Sequence, residues 1–502
     1  MLFCYFVLCG FFIGCGDQQP IPVIVEDISK IKKEVDAYLD KVVNSDILFN
    51  GNIAISKDGK IIYSRSIGYE NVPNKIPLNE NSIFRLCSTS KSFTATVILK
   101  LHELKIIDIE NNVVDYLPDF PFRDIKIIQL LNHTSGIKDY MNILLDNWND
   151  YNVPATNIDI YRLLKEKKHL FFNKRFEGEK YSNTNYALLP ILVEKVTGEK
   201  YADVLTKYVF EPGDLKKTKI FTSFEKKYPK NFAYRHKINI SSGVIETVPY
   251  AHSKYGAVIG SVLGDGSIYS TAEDLVKFDK ALREGKILNK SSIELSLQTK
   301  DKSKKGLGWE VQNKKPLGKI VHHHGKFDGS RVRYHRILDK KITIITMTNA
   351  EGFYTGRIHN NITKIIAGVE VKNLPKLYVS EQLKKEVYKI SAKSLATKIE
   401  TLISNDEKYK MQDRLMVKLA GNLWDINQPN KGLVVLEQAH ANFPNSVVVL
   451  GHLSDGYLET GNFSKSRIHY QKLIKLLKSK DIYDKSWQDH IKTQLKIIKE
   501  KS

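Results

Sequence analysis

The chain has 502 residues, of which 42% are hydrophobic, so it has room for two or three domains with a sizeable core and is not a disordered chain. Lysine and arginine outnumber aspartate and glutamate by 77 to 56, which gives a net charge of +21. Because the lysines are spread along the whole length, without zinc spacing or a glycine-rich or aromatic recognition motif, nucleic acid is not expected as a partner. A solvated lysine-rich surface is the simpler interpretation, and attraction to anionic envelope polymers or lipid head groups is the alternative.

The chain starts with an apolar run, Leu2 to Ile13, that stops at Gly14-Cys15. Twelve residues are too few to cross a bilayer, which needs about 20, but they fit the apolar part of a secretory leader. Gly14-Cys15 resembles the end of a bacterial lipoprotein signal, which implies lipidation at Cys15. We therefore expect a leader over 1–15, a linker over 16–25, and a lipid-anchored protein in the cell envelope. An uncleaved anchor and no export remain alternatives.

Cysteine usage follows from this interpretation. Cys4 and Cys9 lie in the predicted leader, so Cys87 would be the free thiol of the mature chain and no intrachain disulfide is expected. A domain of this size can fold on its core alone, so the lack of disulfides does not argue against export. We expect Cys87 to be a small buried side chain rather than a reactive thiol.

The next elements follow in chain order. Residues 26–43 are charged and amphipathic and predict a helix. Residues 49–69 hold two alternating runs around an Asp-Gly turn at 58–59, which predict a β-hairpin. Helical spacing returns over 88–104 and 181–209, and strand-like runs fill 306–347. This order predicts an α+β fold, with an antiparallel sheet flanked by helices.

After about residue 370 the pattern becomes helical without strands. Residues 415–476 carry a repeat of 34 positions that matches the tetratricopeptide pattern. We therefore expect one domain over 26–370 and an all-α, repeat-like region over 371–502. This region is either a groove for a protein partner or a helical appendage.

Ser88 and Lys91 form the first chemical motif, Ser-x-x-Lys, at the start of a predicted helix. A lysine three positions on lies on the same helix face, about 5–6 Å away between Cβ atoms, and can assist a serine that is a weak nucleophile alone. The spacing is not selective, because it recurs at Ser29, Ser135 and Ser223.

Tyr181-Ser182-Asn183 is the second motif. A phenol near a lysine can take a proton from a serine hydroxyl, and the adjacent amide can hold a substrate carbonyl.

His323-His324-Gly325 is the third motif, near the end of a strand-like run. A glycine there would let a substrate backbone approach, and the backbone N–H groups of Ser88 and Lys326 could form an oxyanion hole. The three histidines at 322–324 also raise the question of a metal. Residues on a strand alternate faces, so at most His322 and His324 share one, and no third ligand is evident. No metal site and no cofactor is predicted.

The ordered triple resembles the class C β-lactamases and their relatives, the D-alanyl-D-alanine carboxypeptidases, D-aminopeptidases and serine esterases. The resemblance covers roughly residues 30 to 365 and implies a β-lactamase/transpeptidase-like fold with a helical subdomain. It implies that Ser88 is acylated, that Lys91 and Tyr181 transfer protons, and that Asn183 binds substrate. Supporting phrases are Leu130-Leu131-Asn132-His133-Thr134-Ser135-Gly136, Tyr181-Ser182-Asn183-Thr184-Asn185-Tyr186-Ala187-Leu188, Phe210-Glu211-Pro212-Gly213, Tyr269-Ser270-Thr271-Ala272-Glu273-Asp274-Leu275 and Gly306-Leu307-Gly308-Trp309.

His323 stands where β-lactamases of this class usually carry lysine, at a position that in this family helps to hold the substrate carboxylate. The difference favours a peptidase or esterase over a dedicated β-lactamase. An imidazole with the usual pKa of about 6.5 is mostly neutral at pH 7.4. If His323 must be charged, turnover of carboxylate-bearing substrates falls as the pH rises near neutrality, whereas turnover of neutral esters does not.

Together these features predict a serine hydrolase domain over 26–370 that forms an acyl-enzyme on Ser88. Its expected substrate is an amide or ester, such as a D-amino-acid peptide, a cell-wall fragment or a small ester, with Gly325 and His323 among the binding residues. The alternative is a catalytically silent envelope scaffold that works through its C-terminal helices.

Overall fold

The computed structural model describes residues 27–171, 181–222, 228–247, 254–299, 304–327, 329–350, 352, 354–482 and 485–501. The predicted leader and Cys15 lie outside these residues. The strands of the protein, in chain order, are β1 Gly51–Lys57, β2 Lys60–Ile67, β3 Tyr69–Asn71, β4 Ile76–Pro77, β5 Phe84–Arg85, β6 Lys219–Ile220, β7 His236–Ile238, β8 Ile245–Thr247, β9 Ile268–Ser270, β10 Glu310–Lys314, β11 Gly318–Phe327, β12 Ser330–Ile337, β13 Ile342–Thr348, β14 Leu377–Tyr378 and β15 Tyr409–Lys410.

The helices follow the same order. They are α1 Ile28–Val43, α2 Ser90–Glu103, α3 Ile127–Leu131, α4 Tyr140–Asp146, α5 Asn157–Glu166, α6 Lys168–Phe171, α7 Asn183–Thr197, α8 Tyr201–Leu205, α9 Lys254–Ile259, α10 Ala272–Arg283, α11 Lys290–Ser296, α12 Thr355–Ile366, α13 Val379–Lys384, α14 Ala392–Ser404, α15 Asp413–Asp425, α16 Pro429–Asn442, α17 Val447–Glu459, α18 Phe463–Ser479 and α19 Lys485–Lys501. Within the part of the chain that the structure describes, no helix is long and apolar enough to span a bilayer.

The main sheet has six antiparallel strands in the order β10-β11-β12-β13-β1-β2. The predicted hairpin forms its β1–β2 edge. Lys57 pairs with Lys60, and the two turn residues Asp58 and Gly59 both have positive φ, at 51° and 76°. An Asp-Gly pair tolerates this left-handed conformation, which is the reason such a turn can be recognised from sequence.

Alternation along the strands gives this sheet two buried faces. The front face carries Val321, Tyr334 and Ile345 and joins the large core that contains α2, α7 and α10. The back face carries Ile320 and Ile344 and packs against α1 and α12. Because both faces are covered by helices, the fold is the predicted α+β arrangement, and neighbouring residues of β11 lie in different cores.

The C-terminal region is helical, apart from the two-residue parallel pair of β14 and β15, which the sequence pattern did not predict. Helices α15 and α17 begin at Asp413 and Val447, and α16 and α18 begin at Pro429 and Phe463, so each pair starts 34 positions apart. The region packs against the first domain, since Lys385 Nζ donates to the Asp46 carbonyl at 3.2 Å.

Candidate active site

Ser88 lies in a single 3-10 turn, Cys87–Thr89, that leads directly into α2. Its side chain is partly exposed, whereas the two flanking residues are buried. Cys87 has φ of +50°, a left-handed conformation that is uncommon outside glycine, asparagine and aspartate. The sharp turn therefore presents Ser88 at the start of a helix, where backbone N–H groups lack helical partners and favour a negative charge.

Lys91 is the residue that contacts Ser88 directly. Its Nζ lies 3.4 Å from Ser88 Oγ and donates to Asn183 Oδ1 at 2.8 Å and to the carbonyl of Asp265 at 2.7 Å. The side chain is fully buried, with 0% exposure. An ammonium group has three N–H donors, and the three partners account for all of them. The lysine is thus fixed with one donor towards the serine.

Tyr181 lies two residues before α7 and is close to Lys91. It is 36% exposed, and Lys91 Nζ lies 5.1 Å from its ring centroid. Lys305 Nζ lies 5.5 Å from the same centroid, and the ring of His133 packs at 4.4 Å. The structure therefore brings the second motif next to the first, although some 90 residues separate them in sequence.

Hydrogen bonds fix both the oxygen and the nitrogen of the Asn183 side-chain amide. Its Nδ2 donates to Asp139 Oδ2 at 2.7 Å, and its backbone N–H donates to the same oxygen at 2.9 Å. Because Asp139 holds the NH₂ group, the Oδ1 atom faces Lys91. In the structure Asn183 thus positions Lys91, and the binding of substrate by this amide stays a prediction.

The sequence analysis missed three residues that support this site. Asp139 orients Asn183, the carbonyl of Asp265 accepts from Lys91, and His133 Nδ1 accepts from the Ser182 N–H at 3.2 Å. Burial raises the pKa of the Asp265 carboxyl to about 6, and Tyr140 donates to it at 3.0 Å. His133 belongs to a phrase quoted above, whereas the two aspartates carry no local sequence signal.

His323 and Gly325 lie where the edge of the sheet is open. Strand β10 pairs with β11 only from Gly318 to His322, so beyond this point the turn that carries Ser88 lies alongside β11. A Cβ atom on Gly325 would lie 2.1 Å from the carbonyl oxygen of Leu86. The glycine is therefore required by the close approach of the turn that carries Ser88, and its role in the approach of a substrate backbone stays a prediction.

His323 is neutral near physiological pH. Burial, together with the charge of Lys91, lowers the pKa of His323 to about 3. Its Nδ1 lies 3.1 Å from the carbonyl oxygen of His324, and because a carbonyl only accepts, Nδ1 carries the proton. The Nε2 atom is then an acceptor. A charged imidazole that holds a substrate carboxylate is therefore not available around neutral pH.

The remaining candidates are Cys87 and the three other serines with a lysine three positions later. Cys87 is buried, and burial raises the pKa of its thiol to about 11, in accord with the expected inert side chain. Ser135, a rival nucleophile, is buried and donates to Asn185 Oδ1 at 2.6 Å. Ser29 lies on the exposed face of α1, and Ser223 lies outside the described residues. Among the Ser-x-x-Lys matches within the described residues, Ser88 is the one whose hydroxyl is in contact with a buried lysine.

The histidines on the other face of β11 differ from the expectation. His322 and His324 share the back face, as alternation predicts, but His335 of β12 pairs directly with His322. One ring nitrogen from each of the three lies within 4.8 Å of the others. The third histidine that the sequence analysis did not find is thus supplied by the neighbouring strand.

Comparison with known proteins gives a consistent result. The family model described as Beta-lactamase matches residues 36–367. The chain is 33% identical to penicillin-binding protein 4* of Bacillus subtilis (strain 168) over 60% of its own length and 68% of that protein. It is 28% identical to a teichoic acid D-alanine hydrolase of Staphylococcus aureus (strain MRSA252) over 55% of its length and 64% of that protein. It therefore spans about two thirds of each of these relatives.

Two solved structures share the fold. FmtA from Staphylococcus aureus superposes with a TM-score of 0.56 and 21% identity, covering 71% of this chain and 95% of that one. D-amino acid amidase from Ochrobactrum anthropi SV3 superposes with a TM-score of 0.54 and 21% identity, covering 68% of this chain and 97% of that one.

Proposed function

The chain belongs to the β-lactamase family of serine hydrolases, and from that premise we propose that it hydrolyses an ester or amide of a D-amino acid through an acyl-enzyme on Ser88. In the proposed reaction Ser88 Oγ attacks the substrate carbonyl carbon. Its proton is taken by the pair Lys91 and Tyr181, which together carry one proton fewer than an ammonium and a phenol, and the pair returns it to the leaving oxygen or nitrogen. The backbone N–H groups of Ser88 and Lys326 stabilise the oxyanion. Water then attacks the ester formed on Ser88 and releases the D-amino acid.

One observation carries this proposal. The Nζ atom of Lys91 is fully buried, lies 3.4 Å from Ser88 Oγ and is fixed by Asn183 and Asp265. A solvated surface lysine has no reason to be held by a buried amide and a backbone carbonyl, and burying an ammonium group is costly unless it is hydrogen-bonded. Such an arrangement suits the removal and return of a serine proton.

The neutral state of His323 favours substrates that carry an N–H donor over substrates that carry a carboxylate. Its Nε2 atom is a neutral acceptor, which suits a substrate that brings an N–H donor such as an ammonium group. A D-amino acid joined through its carboxyl group to an alcohol or amine has a free ammonium group and no carboxylate beside the scissile bond. The names of two relatives, teichoic acid D-alanine hydrolase and D-amino acid amidase, agree with this class.

The net charge of the protein and its predicted lipid anchor suggest that an envelope polymer carries that D-amino acid. The net charge of +21 attracts anionic polymers, and a lipid at Cys15 would hold the enzyme near them. We therefore place the protein in the cell envelope, with a D-alanyl ester on an anionic polymer as the preferred substrate and a D-amino-acid amide as the second choice.

Active-site labelling tests the mechanism. The full chain is treated with a fluorescent penicillin and with a fluorophosphonate, and the labelled residue is identified by peptide mass spectrometry. We expect a covalent adduct on Ser88 that disappears in Ser88→Ala. Ser29→Ala is the matched control, because Ser29 has the same x-x-Lys spacing on the exposed face of α1. The absence of labelling by both probes would favour the silent scaffold.

A substrate panel tests the specificity. D-alanyl esters, D-amino-acid amides, a D-Ala-D-Ala peptide and a cephalosporin are compared by kcat/KM. We expect the ester and amide with a free ammonium group to be turned over fastest. A preference for the carboxylate-bearing peptide would contradict the role given to neutral His323 while leaving the acyl-enzyme mechanism intact.

A further inference from the structure

The back face of β11 carries a histidine cluster that the hydrolase reaction does not use. Glu310, His322 and His335 are directly opposite one another on β10, β11 and β12, and His324 follows two positions along β11. The ring centroids of His322 and His324 are 4.6 Å apart, and that of His335 lies 5.2 Å and 5.3 Å from them. Strand register thus gathers three imidazoles and a carboxylate at one place.

One ring nitrogen of each cluster histidine lacks a hydrogen-bond partner in the part of the chain that the structure describes. Among the described residues, the buried Nδ1 atoms of His322, His324 and His335 have no hydrogen bond. The exposed fractions of His322 and His335 are only 7% and 5%, so solvent does not replace the missing partners. A buried polar atom without a partner is costly, and three such atoms on neighbouring rings could be satisfied by one shared ligand.

Charged and titratable groups surround the cluster from several elements. Glu310 Oε2 lies 3.9 Å from His322 Nδ1 and supplies a negative charge. Arg333, opposite His324, supplies a positive one, and the positive charges of Lys304 and Lys314 act on His322 and His335 respectively. From α12, His359 packs its ring 4.2 Å from that of His335. Glu310 is the acidic group in contact with a cluster histidine, so it is the natural fourth ligand.

We propose that His322, His324 and His335, with Glu310, form a structural zinc site on the face of the sheet opposite Ser88. Three imidazoles and a carboxylate are nitrogen and oxygen ligands that zinc accepts in tetrahedral geometry. Zinc–nitrogen distances of about 2.0–2.1 Å require ring nitrogens roughly 3.4 Å apart. In the structure these nitrogens lie up to 4.8 Å apart. To bind zinc, the histidine side chains would have to rotate towards one another, while the register of the strands stays the same. The metal would tie β10, β11 and β12 together behind the active site.

The first experiment measures zinc binding by the full chain. The protein is stripped with a chelator, dialysed and titrated with ZnCl₂, and bound zinc is quantified by mass spectrometry and calorimetry. We expect one zinc ion per chain and a loss of affinity of about 100-fold or more in His322→Gln and in His335→Gln. Loss of the carboxylate in Glu310→Gln is expected to cost roughly 10–100-fold. His323→Gln is the matched control, because it lies between two ligands but faces the other way.

A second measurement keeps the proposal testable if a variant fails to fold. Zinc should raise the Tm of the wild-type chain and of His323→Gln, since a ligand that binds only the folded state stabilises it. Cobalt added to the stripped wild-type chain should give the absorption spectrum of a tetrahedral, nitrogen-bound ion. A hexa-aqua cobalt spectrum, no zinc retained by the wild type, or equal affinity in the His322 and His335 variants would overturn the proposal. Labelling of Ser88 in the zinc-free chain tests the hydrolase separately.

Discussion

The two faces of β11 place three consecutive histidines in different chemical environments. On the front face, His323 is a neutral acceptor beside the turn that carries Ser88. On the back face, His322 and His324 meet His335 of the next strand. The front face is built from motifs that are recognisable along the chain, whereas the back face depends on the register of three strands. The comparison shows that adjacent identical residues of one strand can have different roles, because their side chains point to opposite faces of the sheet.

The largest expected effect tests the chemistry of the front face. Lys91→Ala and Tyr181→Phe should each lower kcat/KM by at least on the order of 10²-fold, because each removes a proton-transfer group. Initial rates on a D-alanyl ester provide the measurement. Lys100→Ala is the control, since Lys100 lies on the same helix and pairs with Glu103. Near-wild-type rates in both variants would refute the role assignment.

A smaller effect is expected from disturbing the contact between β11 and the turn that carries Ser88. In Gly325→Ala the new methyl group would lie 2.1 Å from the Leu86 carbonyl oxygen, so the strand and the turn must separate. We expect a loss of about 1–3 kcal/mol in the free energy of unfolding, together with reduced turnover. Gly421→Ala is the matched control, with no atom within 4 Å of the new Cβ. In an exposed helix position it should stabilise the chain by up to about 1 kcal/mol. Equal stability in both variants would contradict the contact.

A third prediction concerns pH. The pKa of His323 is lowered to about 3, so its charge changes far below neutrality and the imidazole stays neutral as the pH rises further. Turnover of a carboxylate-bearing peptide and of a neutral ester should therefore have parallel profiles between about pH 6 and 9. Steady-state kinetics on both substrates check this. A rate on the peptide that falls through neutrality while the ester rate stays constant would show that a charged His323 binds carboxylate.

The smallest effect concerns the residue before the nucleophile. Burial raises the pKa of Cys87 to about 11 from an ordinary 9.0, so at pH 8 its thiolate fraction is roughly 100-fold below that of a free thiol. Iodoacetamide should leave Cys87 unmodified in the native chain and modify it in urea, as read by peptide mass spectrometry. Fast native labelling would mean that the turn opens, and it would weaken the contrast between a reactive Ser88 and its sealed neighbour.

The parts of the fold that were predicted have local causes. The Asp-Gly turn identified the β1–β2 hairpin, and the apolar spacing after Ser88 identified α2. The three motifs of the active site were recognised by their order along the chain. Asp139 and Asp265 were missed because they act through single hydrogen bonds between distant segments. Such contacts depend on tertiary packing, which has no period and no motif in the sequence.

His335 shows the same limit on the back face. The sequence Asp328-Gly329 is of a type that favours two-residue hairpin loops, and a hairpin centred on it would pair positions 322 and 335, as the described strands do. The turn sequence could thus have been recognised. It brings His335 next to His322 only if the two flanking segments are also predicted to be neighbouring strands of one sheet. The 34-residue spacing of the C-terminal helices, in contrast, could be read from the sequence because each unit repeats the same local pattern.

The position of β1 in the sheet also bears on how the protein is made. Asn50, beside β1, donates to Asn349, beside β13, across 299 positions of sequence. At about 5–20 residues per second, a ribosome needs roughly 15–60 s to synthesise the intervening chain. Throughout that interval the β1–β2 hairpin has an unpaired edge that other chains could bind. The paired helices α15 to α18 contact near neighbours in sequence and have no such wait, so the catalytic sheet is the part of this protein for which a chaperone would matter most.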